Sequence, residues 1–144
     1  MKLISLIVSL TIVTIASAQN PAEIREHGLK PIVLCNASGD CKGIKYVQVR
    51  INGNNPVVRC TSQNDCEGGA DYVQIRKNGM EPIIFCSSSG QCEGSSYDSV
   101  RAQGIEPVVI CNSKGNCEGG VDYVQVRKNG MEPVVLCSSG NECQ

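Results

Sequence analysis

Two short segments alternate along the chain. One is almost continuously apolar: Pro31 to Cys35 (PIVLC), with variants at 56–60, 82–86, 107–111 and 133–137. The other alternates apolar and polar positions: Tyr46 to Arg50 (YVQVR), with variants at 72–76, 97–101 and 123–127. A period of two predicts a half-buried strand, and a short unbroken apolar run predicts a strand covered on both faces. Pro, Gly and β-branched residues recur too often for helix, and no stretch sustains a 3.6-residue period.

The segments belong to a tandem repeat. Cys35–Cys41, Cys60–Cys66, Cys86–Cys92, Cys111–Cys117 and Cys137–Cys143 share C-x5-C spacing, and their first members step by 25, 26, 25 and 26 residues. A Gly precedes each first Cys by seven (Gly28, Gly53, Gly79, Gly104, Gly130) and a Pro precedes it by four (Pro31, Pro56, Pro82, Pro107, Pro133). The only length change falls between the second Cys and the next Tyr, where Gly-rich linkers can absorb an extra residue as a bulge or short loop. Segments 66–86 and 117–137 differ only by swaps among apolar residues, as duplication of a two-unit block would leave them.

Both linkers of a unit read as three-residue hairpin loops, which place a residue in the left-handed region at their third position. Between the cysteines that residue is Gly39, Asn64, Gly90, Gly115 or Asn141. In the second linker it is the Gly of Glu26-His27-Gly28 and its four equivalents. The expected fold is therefore all-β: five tandem disulfide-stapled β-hairpin units of ~25 residues forming an antiparallel meander. The alternative is a β-solenoid with one unit per coil. The units run at about 25–50, 51–76, 77–101, 102–127 and 128–144. In this register each Cys pair is one step beyond the loop-closing pair, where Cα atoms approach to about 4.5 Å, inside disulfide range. Pairing within each hairpin is expected, with a ladder between units as the alternative.

Composition places this array outside the cell. Residues 1–18 read as a signal peptide, with Lys2, an apolar stretch and Ala16-Ser17-Ala18 as a cleavage site, leaving 19–144 as a single repeat array. The apolar stretch is too short to span a membrane, which takes roughly 20 residues, and no second one follows. All ten cysteines lie after it, the pattern of a secreted disulfide framework. Apart from Lys2, 12 basic residues face 14 acidic ones, which argues against nucleic acid as a partner.

Catalytic chemistry finds no constellation. His27 is the only His and falls in a turn, so a nucleophile would lack a base, and paired cysteines supply no thiolate for zinc. Neither a metal nor another cofactor is expected. Glu67, Glu93 and Glu118 each follow the second Cys of a unit and recur with the repeat, as a solvated polar edge would. Asn36-Ala37-Ser38 is a glycosylation sequon at a predicted hairpin tip. The Tyr-x-Gln-x-Arg sets share one strand face by period two: Tyr46, Gln48 and Arg50; Tyr72, Gln74 and Arg76; Tyr123, Gln125 and Arg127; with Tyr97 and Arg101 alone in the fourth. The expected function is a non-enzymatic structural or adhesive extracellular role, with the chain itself, an extracellular polymer or a glycan as partner. The alternative is a multivalent lectin-like or defence module using the Tyr/Gln/Arg face. Ice binding would need ordered Thr rows, and Thr61 is the only Thr after the leader. Protease inhibition by a C-x5-C loop is better explained by turn chemistry.

Overall fold

The computed structural model describes residues 19–144. The signal peptide read at 1–18 lies outside the described residues. The five apolar segments form strands: β1 (Lys30–Cys35), β2 (Asn55–Arg59), β3 (Glu81–Phe85), β4 (Glu106–Ile110) and β5 (Glu132–Leu136). They pair in parallel, each with the next, and β1 also pairs with β5, so the sheet closes into a barrel. The antiparallel meander is therefore incorrect, as is an all-β fold. The chain is a small α/β ring.

The correction turns on the Tyr-Val-Gln-Val-Arg segments, which are helical. Five six-residue helices precede the five strands: α1 (Pro21–Glu26), α2 (Tyr46–Ile51), α3 (Tyr72–Lys77), α4 (Tyr97–Ala102) and α5 (Tyr123–Lys128). Asn20, Asp71, Ser96 and Asp122 cap four of them, each side chain accepting from a backbone N–H three residues on. At the other end, Gly79 N–H donates to Arg76 O (3.0 Å) and Met80 N–H to Ile75 O (3.1 Å), the paired bonds of a Schellman motif. The other four helices end the same way. So the Gly assigned to a second hairpin loop is the left-handed residue just after a helix C-cap; Gly79 has φ +89°. A parallel pair needs a crossover connection, and the helix supplies it.

The other linker is the hairpin that was expected. Ser87 N–H donates to Gln91 O (2.8 Å), and Gly39, Asn64, Gly90, Gly115 and Asn141 all have positive φ. All five disulfides lie within their own hairpins, with Cα atoms 3.9–4.1 Å apart. Two hairpins continue into two-residue ladders, at Asp40–Cys41 with Ile44–Lys45 and at Gln91–Cys92 with Ser95–Ser96. The length change sits beside them: a turn at Lys42-Gly43 and Glu93-Gly94, a longer Gly-Gly loop at 68–69 and 119–120.

Each strand is covered on both faces. Ile32, Val57, Ile83, Val108 and Val134 point inward as one ring, all within 1% of full burial. Val33, Val58, Ile84, Val109 and Val135 point outward against the cystines and Ile24, Val49, Ile75, Val100 and Val126 of the helices. Every strand is staggered by two residues from its neighbour: Ile32 faces Asn55, Val57 faces Glu81, and Lys30 faces Val134. Five equal staggers add up to a shear of ten residues around the closed barrel.

The chain ends complete the ring. Cys66 N–H donates to Ala70 O (3.0 Å) and Cys117 N–H to Val121 O (2.9 Å), and Cys143 N–H makes the same bond to Gln19 O (2.9 Å). Residue 19 thus occupies the place that a linker residue holds in other units, and α1 serves as the helix between β5 and β1.

Candidate functional site

The two ends of the barrel differ in chemistry. At the N-terminal ends of the strands the inward residues are Lys30, Asn55, Glu81, Glu106 and Glu132. Lys30 Nζ reaches across to Glu81 Oε2 (2.9 Å) and Glu106 Oε2 (3.3 Å), and Asn55 Nδ2 donates to Pro31 O (3.0 Å). That end is closed by polar contacts between strands.

The C-terminal end is open. Its inward residues are Leu34, Arg59, Phe85, Ile110 and Leu136; Leu34, Phe85 and Leu136 pack onto the buried ring below, and none of the five is fully buried. With Ser87, Gln91, Glu93 and Glu118 they line a cavity of about 470 Å³. A second cavity of about 420 Å³ continues from Leu34 and Leu136 to Lys42, Glu142 and Gln144. Loops following strand C-terminal ends are where parallel barrels build sites.

Here the repeat breaks. The position three residues after Pro carries the one Phe of the chain, Phe85, and one charged residue, Arg59, among aliphatic side chains. Arg59 lies over the Phe85 ring, its Cζ 5.0 Å from the centroid, and pairs with Glu93. Glu93 has φ +38°, the left-handed region that non-glycine residues seldom adopt. Glu118 lines the same cavity, while Asp65 and Glu67 flank Arg59 on its other side. Around the mouth five carboxylates (Asp65, Glu67, Glu93, Glu118, Glu142) thus face two cations, Arg59 and Lys42. The three acids expected on a solvated polar edge are all exposed, and two of them, Glu93 and Glu118, line one opening.

The Tyr-x-Gln-x-Arg sets do not form a strand face. On a helix, Tyr and Arg are one turn apart, and the guanidinium of Arg50, Arg101 or Arg127 stacks on Tyr46, Tyr97 or Tyr123 at 5.3–5.4 Å. Gln48, Gln74 and Gln125 turn aside and donate to Asn52, Asn78 and Asn129. Each Arg also packs on the cap glycine of the following unit: a Cβ on Gly79 would lie 3.0 Å from Arg50 Nη2, and one on Gly28 would lie 3.3 Å from Arg127 Nη1. These side chains link neighbouring units around the ring. Arg76 packs likewise on Gly104, but Tyr72 is buried, its hydroxyl donating to Thr61 O, and burial pushes its phenol pKa up.

Among the described residues, no group of three or more His, Cys, Asp or Glu is placed to hold a metal ion. His27 caps the C-terminus of α1, three residues before β1 begins and so at the closed end. Asn36 is half-buried in its hairpin, with Ser38 Oγ donating to its Oδ1 (2.7 Å). Beside it Lys45 pairs with the exposed Asp40 and holds its carboxyl below the usual range.

No family model, curated protein or solved structure matches this chain. Five disulfides in a chain of this size fit an extracellular, disulfide-rich protein. No helix among the described residues is long and apolar enough to cross a membrane.

The mouth escaped sequence reasoning because the regular features drew attention to what recurs. The available signal was the reverse: Arg59 and Phe85 occupy the strand position at which the five units agree least.

Proposed function

We propose that the chain is a secreted, non-enzymatic binding protein that takes a small ligand at the open mouth of its barrel. The observation that carries this reading is that Arg59 and Phe85, the residues that break the repeat, meet with Glu93 at the C-terminal mouth of the barrel. A cavity of about 470 Å³ with an apolar floor and a few polar groups is of ligand size. The polar groups at hand are Arg59, Glu93, Glu118, Ser87 and Gln91, with no imidazole among them, which favours binding over turnover.

Nile red, a neutral apolar dye, tests the site. Its emission is expected to shift to the blue and strengthen on mixing with the oxidised protein, and Phe85→Ala should remove most of that change. An absent response, or one that Phe85→Ala leaves intact, overturns the reading.

A structural or adhesive role is the second reading. Val47 (50% exposed), Ile51 (71%), Val73 (56%) and Val124 (44%) set apolar side chains on the outer helices, where copies or a polymer would meet them. A glycan on Asn36 belongs with either reading. Protein secreted from a glycosylating host is expected to lose mass on glycosidase treatment, and an unchanged mass would exclude the modification.

A further inference from the structure

We infer that the ligand of the open mouth is an amphiphilic organic cation, a small apolar body bearing one ammonium or guanidinium group. This rests on the mouth being a binding site and adds its chemical class.

Three observations converge. The floor is hydrocarbon: Leu34, Ile110 and Leu136 with the Phe85 ring, lying on the dry Ile32–Val134 layer. Such a floor takes an aliphatic or aromatic body and offers it no hydrogen bonds. Next, the protein already sets a cation over that floor. The Arg59 guanidinium has both partners that a bound ammonium would seek, the π face of Phe85 and the carboxylate of Glu93. Its side chain remains 45% exposed, so it is not locked in place.

The third is the charge balance. Arg59 answers Glu93, but Glu118 lines the same cavity and forms no ion pair among the described residues. Asp65 and Glu67 beside it and Glu142 across the mouth add to the negative potential, against Lys42 alone. A concave apolar site rimmed by carboxylates concentrates cations and repels anions. A fatty carboxylate would fit the floor, yet its head would meet Glu93 and Glu118, and the one arginine that could receive it is already paired.

Arg59 is then an internal competitor. Removing its charge while keeping a polar side chain vacates the Phe85 face and frees Glu93 together. An arginine that served an anionic ligand would have the opposite effect on replacement.

The test compares three probes with one tail, n-octylammonium, octan-1-ol and octanoate, by calorimetric titration of the oxidised protein. Octylammonium should bind at least about tenfold more tightly than octanoate, and raising salt from about 20 to about 300 mM should weaken it. Arg59→Gln should tighten octylammonium several-fold, and Glu118→Gln should weaken it. Circular dichroism checks that each variant is folded, and Arg59→Lys provides a variant that keeps the charge. Octanol or octanoate binding as tightly as the ammonium, or Arg59→Gln weakening it, overturns the cation assignment while leaving the mouth as a binding site. Binding by none of the three overturns both.

Discussion

A strong reductant is expected to unfold this protein at room temperature. Each cystine closes a loop of about seven residues, worth roughly 2 kcal/mol in the chain-entropy account. Five such loops reach on the order of 10 kcal/mol if they add, comparable to the whole net stability of a domain. The cystines are also part of the packing, since all ten Cys are no more than 8% exposed and lie in the cluster that joins helices to strands. Reduction of the native protein should therefore be slow and should speed up sharply with mild denaturant. The check is a thermal melt followed by circular dichroism with and without a phosphine reductant. Coincident melts would show that the closed barrel stands without its cystines.

The second large effect belongs to the inner ring. Ile83→Ala is expected to cost about 3–4 kcal/mol, toward the upper part of the range for such truncations. The cost depends on how far the surroundings can collapse. Here only Ile32, Val57, Val108 and Val134 share the layer, and the closed sheet fixes its circumference. Val73→Ala, on an exposed helix position, should change stability by less than about 0.5 kcal/mol. Chemical denaturation of both variants checks the contrast. Equal midpoints would mean that the inner ring is not tightly packed.

The parts of this fold set by local chemistry were legible in the sequence. The hairpin turns follow from Gly or Asn at one loop position, because few other residues tolerate positive φ there. The doubly covered strands follow from their unbroken apolar runs. Tyr46–Arg50 failed because five residues are too few to separate a period of two from one of 3.6. In α3 the buried positions are Tyr72 and Ile75, three apart, which is a helical spacing. The distinguishing feature lay outside the segment. Apolar residues five apart around the Gly, such as Ile75 and Met80 or Val126 and Met131, are the C3 and C″ contact of a Schellman motif. A hairpin loop has no need of it.

Closure was not legible for a different reason. Nothing within one unit names its neighbour, and only the pairing of β1 with β5 in the folded chain shows that the ring meets itself. The mouth was hidden with it: Arg59, Phe85, Glu93 and Glu118 come from three successive units, and closure of the sheet brings Leu34 and Leu136 round to the same cavity. The cavity's continuous apolar floor depends on that closure.

Closure is tested most directly at the seam between β1 and β5, by NMR of the oxidised chain from residue 19 to 144. The Cys137 N–H, bonded to Ile32 O at 2.8 Å, should exchange as slowly as those of Cys86 and Cys111, which make the equivalent bonds to Val108 O and Val134 O. Cross-strand NOEs should link Pro31 and Ile32 with Val135 and Leu136. Fast exchange at Cys137 with no contact between these segments would contradict the account, leaving an open array with two free edges and no mouth.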